Sequence, residues 1–308
     1  MKKSYETGIV ILNYNTCQDA AACTDAVKLR AFAAEKSHIY IVDNGSSDLS
    51  GEKLRQRYRD DPDVTVLLTG RNLGFSGGCN EGIRAALSDG CRQVYLLNSD
   101  ILPENDVTGL MTEAFLKYPE AAAAGPEVYD LSGTYRQFAR KKLDFCSHMA
   151  ERLHLPGAKK LREYVYDHQK DLLFDGMCSG CCFGLKADFI RSAGALDDNV
   201  FLFYEEDILA WMLEKAGKKT VIVKGAKVVH AEGVSTKKSS GGKVAFERLY
   251  RWTSALYVLK KYAEESTFKL FLVKLLDKVQ WGMLSVLDNS YRQYGECFRK
   301  EMKRMDSQ

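Results

Sequence analysis

Acidic and amide side chains follow several apolar runs of this sequence, at the points where the runs end. The segment VDNGSSD (42–48) follows one such run, and LLNSD (96–100) closes another. If the runs are strands, Asp43 can accept a hydrogen bond from a nucleobase or a sugar hydroxyl. Asp100, flanked by an asparagine and a serine, suits a hard divalent cation that also takes phosphate oxygens. The alternative for both aspartates is a turn or a helix cap.

A glycine-rich segment follows a third apolar run. It reads RNLGFSGGCNEG (71–82) and combines closely spaced glycines with the start of a predicted helix. Glycine permits a positive φ and close backbone approach, and the amides of a helix N-terminus favour an anion such as a diphosphate. The alternative is that the glycines only allow tight packing of a helix on a sheet. No GxGxxG fingerprint follows the first run, so a dinucleotide-binding dehydrogenase is disfavoured.

Three consecutive carboxylates stand at the start of another predicted helix, in YEED (204–207). Their mutual repulsion can raise a pKa while the helix dipole keeps one of them ionised, which suits a general base. Asp207 is the first candidate for this role and Glu206 is the second. The alternative is that acidic side chains simply favour the first turn of a helix.

The segments that must position these residues alternate between strand-like and helical patterns over the first 120 residues. The strand-like runs are nearly unbroken in Val, Ile and Leu, which predicts an α/β fold whose mostly parallel sheet is covered by helices on both faces. Ligands of such sheets bind at the carboxyl ends of the strands, where the polar clusters lie. The predicted strands are 8–15, 38–44, 64–69 and 93–100, and the predicted helices are 17–34, 51–60, 78–89 and 107–118.

The pattern loosens in the second part of the chain. Residues 132–172 are charged and aromatic without clean periodicity, whereas 174–185 is predicted to be one buried, glycine-spaced strand. The helix that starts at the acidic cluster is followed by a strand, 218–230, which ends in His230. After the turn-like segment 235–243 the chain is predicted to be helical, and we place a domain boundary there.

The composition limits what the protein can be. A chain of 308 residues with 45% hydrophobic and 28% charged residues can fold around a large core and is not disordered. Its net charge of +3 does not suggest a nucleic-acid partner. Nine scattered cysteines, with neither an apolar leader nor a spanning segment, predict a cytoplasmic protein. The segment CSGCC (178–182) lacks a second pair of ligands at zinc spacing and is interpreted as sheet core.

Together, these segments resemble the family-2 inverting glycosyltransferases of the GT-A fold, particularly the bacterial rhamnosyltransferase-like branch. The resemblance covers about residues 1–235 and rests on VILNYN, VDNGSSD, RNLGFSGGCNEG, LLNSD, GMCSGCCFGLKADF, FLFYEED and VVHAEG. It implies a catalytic domain with a nucleotide-binding half of about 1–120 and an acceptor half of about 121–235. A helical region, 243–308, would follow it.

The resemblance also implies roles for single residues. Asn13 and Asp43 would border the nucleobase. Asp100 would bind a divalent cation, Mg²⁺ or Mn²⁺, on the diphosphate, and His230 can complete that metal site. Asp207 matches the position of the catalytic base, with Glu206 beside it. The nucleotide-sugar-binding residues implied are Asn13, Asp43, Arg71, Asn72, Gly74, Gly78, Asn98 and Asp100.

Two positions depart from the family pattern. The usual Asp-x-Asp metal motif is Asn98-Ser99-Asp100 here, so its first carboxylate is missing, although this variant is itself common in the rhamnosyltransferase-like branch. Leu209 stands where the family often has a further aspartate. The metal site is therefore expected to be weaker or differently completed.

The function that the resemblance implies is transfer of a sugar, with inversion, from a nucleotide diphosphate to a hydroxyl of a saccharide or lipid-linked acceptor, in bacterial surface polysaccharide synthesis. It favours dTDP-rhamnose as donor, with a UDP-sugar next. A sugar nucleotidyltransferase is the alternative enzyme, but NYNTCQDAAAC (13–23) offers no glycine- and basic-rich loop. A non-catalytic nucleotide- or glycan-binding module at a membrane is a further alternative, and it would tolerate loss of Asp207.

The C-terminal region contains an amphipathic helix, predicted over 268–287. Its apolar face comprises Phe268, Phe271, Leu272, Leu275, Leu276, Val279, Met283 and Val286. Lysines lie on the opposite side. Such a helix can lie on the inner face of an anionic plasma membrane, where a lipid-linked acceptor would be found, pack on the catalytic domain, or join two subunits as a homodimer. The sequence leaves these three possibilities open.

Overall fold

The four apolar runs at the start of the chain are strands of one β-sheet. The structure is a computed structural model that describes residues 5–31, 36–231 and 244–307. Within these ranges the strands are β1 (Thr7–Asn13), β2 (Ser37–Asp43), β3 (Val64–Leu68), β4 (Gln93–Asn98), β5 (Ile101–Pro103), β6 (Ala121–Tyr129), β7 (Leu172–Phe174), β8 (Cys182–Lys186) and β9 (Lys219–His230). β2 is buried along its whole length, as its unbroken apolar run predicts.

The strands pair in the order β3-β2-β1-β4-β8-β6-β9-β5, and β7 pairs with β9. Neighbours among β1 to β4 run parallel, as predicted. β8 is antiparallel to both β4 and β6, and β9 is parallel to β6 but antiparallel to β5 and β7. The second half of the sheet is therefore mixed, because β8 enters beside β4 in the opposite direction instead of through a crossover helix that would keep it parallel.

Helices cover both faces of the sheet, as the alternating pattern predicts. The helices up to residue 231 are α1 (Cys17–Arg30), α2 (Ser50–Arg57), α3 (Gly74–Ser88), α4 (Val107–Lys117), α5 (Phe145–Arg152), α6 (Ala187–Ala193) and α7 (Glu205–Lys215). Buried side chains of α1, α2 and α4 share one apolar cluster with the sheet, and those of α3, α6 and α7 share a second cluster. The predicted α/β layering is confirmed.

The segment predicted to be one strand over 174–185 is instead two strands, β7 and β8, joined by a loop. A Cβ atom at Gly176 would lie 2.2 Å from the carbonyl oxygen of Arg140. Arg140 and Met177 exchange two backbone hydrogen bonds across this close approach. The prediction was wrong because the glycines let a loop pass another segment, which interrupts the ladder.

The C-terminal region consists of helices that pack on the rest of the molecule. In residues 244–307 these are α8 (Val244–Lys261), α9 (Thr267–Leu287), α10 (Asn289–Gln293) and α11 (Gly295–Ser307). Their apolar side chains form a third cluster, which also includes Leu143, Val200 and Ile208. The helical region thus packs against α7 and the chain that leads into α5. The domain boundary predicted at 235–243 lies outside the described residues.

The long helix α9 contacts the molecule through a narrow face. Its buried residues are Leu270, Val273, Asp277 and Trp281. Of the eight side chains in the wide apolar face that was predicted from the sequence, six are exposed, and Leu272 and Leu276 are half-buried at its edge. The possibility that this face packs on the catalytic domain is therefore wrong. No helix in the described ranges is long and apolar enough to cross a bilayer.

Candidate active site

The ends of β1, β2 and β4 meet in a buried network of hydrogen bonds. Asn13 Nδ2 donates to Asp43 Oδ1 at 2.7 Å, and Asn13 Oδ1 accepts from Thr16 Oγ1 at 3.0 Å. Thr16 Oγ1 lies 2.9 Å from Ser99 Oγ. All four side chains are buried, so the network holds the three strand ends in a fixed relation. Thr16 belongs to no motif that the sequence indicated, and Ser99, although part of LLNSD, had been given no role of its own.

A cleft of about 440 Å³ opens at this edge of the sheet, a volume typical of small-molecule sites. The predicted site residues that line it are Asn72, Gly74, Asn98, Glu206, Asp207 and His230. Those that do not line it are Asn13, Asp43, Arg71, Gly78 and Asp100. The structure thus brings strand-end residues and the acidic helix start, which are distant in sequence, to one cavity.

Glycines of the 71–82 segment allow close backbone approach. Gly74 has a φ of +78°, and a Cβ atom there would lie 2.4 Å from the carbonyl oxygen of Phe201. Gly78 has no room for a side chain because Asn44 and Leu12 lie against it. The two glycines fix the start of α3 against the end of β1 and against the chain that leads into α7.

His230 and Asp100 lie side by side because β5 and β9 pair with Ile101 opposite His230. His230 Nε2 is 3.2 Å from Asp100 Oδ1. Apart from that contact, this buried oxygen accepts no hydrogen bond from the described part of the chain. Burial lowers the pKa of His230, but the contacts with Asp100 and Cys181 raise it further, to about 10. A cation bound here would have to displace the proton on His230 Nε2, because only a neutral imidazole binds a metal ion, and Asp100 Oδ1 has bonding capacity left for it.

These two residues fit a cation that is shared with a bound ligand. Within the described ranges, no three His, Cys, Asp or Glu side chains are grouped so that they could hold a metal ion. Mg²⁺, however, commonly binds through one or two carboxylates, with water and phosphate oxygens completing its shell. Asn98, which lines the cleft, offers a neutral amide oxygen where the usual metal motif has a carboxylate.

The acidic start of α7 also lines the cleft. Glu205, Glu206 and Asp207 form the first turn of the helix. The chain enters that turn through Phe203 and Tyr204, which both have a φ of +69°. Such backbone conformations are costly for residues other than glycine and often occur at functional sites. Burial, followed by repulsion from Glu206, raises the pKa of Glu205 to about 8, and burial also raises that of Glu206.

Asp207 and Glu206 differ in how tightly they are held. Asp207 is only 2% exposed, and its Oδ1 accepts from the backbone N–H of Leu143 at 2.7 Å and from the guanidinium of Arg162. Burial raises the pKa of Asp207 to about 7, although Arg162 lowers it. Glu206 is partly exposed, and its Oε1 accepts from the backbone N–H of Gly180 at 3.1 Å. Asp207 is thus the more constrained carboxylate, and Glu206 is the more accessible one.

Three arginines that sequence reasoning missed also line the cleft, namely Arg140, Arg162 and Arg251. The first two come from the aperiodic segment 132–172, where no motif marks them. Arg251 comes from α8, and its guanidinium lies 3.8 Å from the centre of the Phe203 ring. Guanidinium groups suit phosphate oxygens, so the cleft combines cationic and carboxylate groups. Only the path of the folded chain brings them together.

Known sequences resemble this chain over more than half of its length. The sequence model described as Glycosyl transferase family 2 matches residues 8–192. A relative in Mycobacterium tuberculosis, N-acetylglucosaminyl-diphospho-decaprenol L-rhamnosyltransferase, is 26% identical over 216 residues. That alignment covers 64% of this chain and 67% of the relative. The predicted similarity to the rhamnosyltransferase-like branch is confirmed.

Solved structures share the fold at low sequence identity. The mannosyltransferase PcManGT from Pyrobaculum calidifontis, in complex with GDP-Man and Mn²⁺, has a TM-score of 0.55 and 13% identity, with 98% of this chain and 86% of that chain covered. GalNAc-T7, with UDP, GalNAc and Mn²⁺, also has a TM-score of 0.55, with 17% identity and 75% of this chain covered. This chain spans only 44% of the GalNAc-T7 structure. Both likenesses confirm the predicted GT-A fold.

Proposed function

This chain belongs to glycosyl transferase family 2, whose model covers more than half of it, and from that membership we propose that it transfers a sugar from a nucleotide diphosphate to an acceptor hydroxyl, with inversion at the anomeric carbon. The observation that carries the proposal is the shared cleft. Asn98 and His230, from strand ends, line the same cavity as Glu206 and Asp207 of α7. One wall can bind a diphosphate while the other faces the incoming hydroxyl.

We assign the donor to the strand-end wall. Asn72 and Gly74 line the cleft at the start of α3, where backbone amides favour a diphosphate. Asn13 and Asp43 hold the strand ends that would border the nucleobase. The donor proposed first is dTDP-rhamnose, because the mycobacterial relative is named as an L-rhamnosyltransferase. A UDP-sugar is the second candidate.

Asp100 and His230 would hold a divalent cation beside the diphosphate, since the buried Asp100 Oδ1 still has bonding capacity. Mg²⁺ or Mn²⁺, when bound, would neutralise negative charge on the departing diphosphate. Arg140 and Arg251 line the same cleft and can add cationic hydrogen-bond donors. The leaving group then needs no proton from a general acid.

The carboxylates of α7 would act on the acceptor. We propose that Asp207 takes the proton of the acceptor hydroxyl while the oxygen of that hydroxyl bonds to the anomeric carbon. The bond between the anomeric carbon and the diphosphate breaks in the same step. The pKa of about 7 suits a base that must ionise near neutrality. Glu206 is the second candidate, because it is partly exposed whereas Arg162 and Leu143 occupy Asp207 Oδ1.

We propose a lipid-linked saccharide as the acceptor, by analogy with the diphospho-decaprenol in the name of the mycobacterial relative. Such acceptors in bacterial surface polysaccharide synthesis carry sugars on membrane lipids. All nine cysteines are free thiols, which supports a reducing cytoplasm. The proposed location is therefore the cytoplasmic side of the plasma membrane.

A donor panel tests the proposal. Nucleotide release from dTDP-rhamnose and from UDP-sugars is measured with Mn²⁺, with Mg²⁺ and with a chelator, in the presence of an N-acetylglucosaminyl-diphospho-polyprenol acceptor. The parent, Asp207→Asn and Glu206→Gln are compared, and calorimetry records nucleotide binding by each. We expect one donor to be consumed, chelation to abolish turnover, and one carboxylate variant to lose turnover while it still binds nucleotide.

Two results would overturn parts of this scheme. Equal turnover by the parent and both carboxylate variants would remove α7 from the chemistry. Full activity in the presence of the chelator would reject the cation at Asp100 and His230, and the variant Asp100→Asn should then be indistinguishable from the parent. The control is Asp188→Asn, since Asp188 is a fully exposed aspartate of α6.

A further inference from the structure

The outer surface of α9 is apolar along its whole length. Its exposed side chains include seven large apolar ones, each between 48% and 81% exposed, namely Phe268, Phe271, Leu275, Val279, Met283, Val286 and Leu287. Most of them recur at spacings of three and four, so they lie on one side of the helix. We refer to these seven side chains as the outer face of α9. At 1.5 Å per residue it extends for roughly 30 Å.

This arrangement differs from ordinary surface exposure. Single exposed apolar side chains are common, but a continuous apolar strip on one helix marks a surface that something covers. The helix has its own contacts with the core, through Leu270, Val273 and Trp281, so the outer face is not required for packing within the chain. Its covering partner must lie outside the described residues.

A second exposed apolar segment is attached to α9 by an ion pair. Arg152, the last residue of α5, pairs with the buried Asp277 of α9 and donates to Gln280. The chain that follows Arg152 exposes three leucines, namely Leu153, Leu155 and Leu161. Two apolar surfaces are thus joined through one buried contact.

The charges beside these surfaces are basic. α9 contains three lysines and one aspartate; the aspartate is buried against Arg152, and Lys269 pairs with Glu265 just before the helix. Lys278 is three residues after Leu275 and seven after Phe271, so it borders the outer face, and the prediction from the sequence that it lies opposite was wrong. The segment 153–161 contains Lys159 and Lys160 and no acidic residue, and both lysines are exposed. Basic groups that border an apolar helical face are typical of helices that lie in the interface of an anionic bilayer. A second copy of the chain would instead bring like charges together.

We propose that the outer face of α9 and the leucines of 153–161 rest on the surface of an anionic lipid bilayer. The apolar side chains would enter the boundary between head groups and acyl chains, and the lysines would contact lipid phosphates. This contact does not depend on the donor, the acceptor or the metal ion. It can therefore be tested separately from the proposed transferase activity.

Vesicle flotation of the full chain tests the proposal. The vesicles contain phosphatidylcholine, alone or with one quarter phosphatidylglycerol. We expect the parent to float with the anionic vesicles and to bind neutral ones more weakly. The double variant Phe271→Glu and Val279→Glu should lower the partition coefficient roughly tenfold or more, because two charges enter the apolar face. The control is Leu29→Glu with Leu116→Glu, two leucines of α1 and α4 that are 78% and 77% exposed, compared with 57% and 52% for Phe271 and Val279.

A second variant and a second measurement keep the outcome decisive. Lys159→Glu with Lys160→Glu should reduce binding to anionic vesicles only, and circular dichroism and Tm should show that each variant is folded. The proposal is overturned if the folded Phe271→Glu and Val279→Glu variant floats like the parent. It is also overturned if light scattering shows a dimer that this variant dissociates while the parent does not bind vesicles.

Discussion

The carboxylate of Asp207 accepts hydrogen bonds from the guanidinium of Arg162 and from the backbone N–H of Leu143, yet burial raises its pKa to about 7. A base must be ionised to take a proton, so its active fraction grows as the pH rises through that value. We expect kcat/KM of the parent to increase with pH on a limb centred near 7. Asp207→Asn should lose that limb together with about 10²–10⁴-fold of turnover. Initial rates at a series of pH values, for the parent and the variant, measure both effects.

Glu206→Gln is the informative comparison for this prediction. If Asp207 is the base, the rise of kcat/KM near pH 7 persists in Glu206→Gln. If that rise persists in Asp207→Asn instead, the base is Glu206. Exposed Asp188→Asn should reproduce the parent profile.

Among the single residues of the site, those that follow a strand or begin a helix could be predicted from the sequence. Asn72, Asn98, Glu206 and His230, which line the cleft, could be predicted because strand ends and helix starts have recognisable local patterns. Arg162 could not be predicted in this way, since its position beside Asp207 depends on how an aperiodic segment folds back over the sheet. The structure was also needed to show which side chains line the cleft and which lie behind it.

The start of α3 lies against the chain that leads into α7, and both line the cleft. Gly74 and Gly70 both have a positive φ, but only Gly74 lies against another segment, with Phe201 in the way of any Cβ atom. Gly70→Ala should cost roughly 1–2 kcal/mol of unfolding free energy from backbone strain alone. Gly74→Ala should cost clearly more and should also lower turnover, because the chain before α7 must move. Urea unfolding and rate measurements on both variants check this.

Equal losses of stability in the two glycine variants would contradict that prediction. They would mean that the chain around Phe201 shifts freely and that its contact with α3 does not determine the shape of the cleft.

At the level of elements, the sequence predicted best where each apolar run makes its own strand. β1 to β4 follow from local pattern, because both faces of a parallel sheet are buried. The two strands within 174–185 could not be predicted from local pattern. An apolar, glycine-spaced run is compatible both with a strand and with a loop in close contact with another segment. The burial of the narrow face of α9 was equally hidden, because periodicity shows that a helix has two faces but not which one the core covers.

The molecule as a whole is held together through α8, whose side chains share a cluster with Ile208, the neighbour of Asp207. Leu256 in α8 is fully buried. Leu256→Ala should lower the free energy of unfolding by about 2–5 kcal/mol and should lower turnover as well, because the cavity adjoins the support of α7. Leu116→Ala, at an exposed site, is the control. Unchanged turnover in folded Leu256→Ala would show that the helical region only adds stability.

Several buried carboxyl groups make the stability of the whole molecule depend on pH. Glu205 has a pKa near 4.5 when unfolded and about 8 when folded, so between these values the folded state holds more protons than the unfolded one. Stability from this group is therefore complete below about pH 4.5 and falls as the pH rises toward 8, by up to roughly 1.4 kcal/mol per pH unit. Glu205→Gln should flatten this decline, since Gln has no proton to lose.

Urea unfolding of the parent and Glu205→Gln at acidic and slightly alkaline pH measures the difference. The variant should gain on the parent as the pH rises. A constant difference between the two proteins across the range would show that Glu205 does not titrate in this window. Asp207 and Asp277, whose pKa values burial also raises, contribute a decline that remains in the variant.

The family match ends at residue 192, before α7 and before β9 reaches His230. A chimera that exchanges residues 8–192 with a relative would import the loops that we assign to the donor. It would keep Glu206, Asp207, His230 and Arg251 from this chain. In the roles proposed above, most residues assigned to the donor lie within 8–192, whereas the proposed base, His230 of the cation site and Arg251 lie beyond that range. We therefore expect such a chimera to change the choice of sugar nucleotide while it keeps the base of this chain.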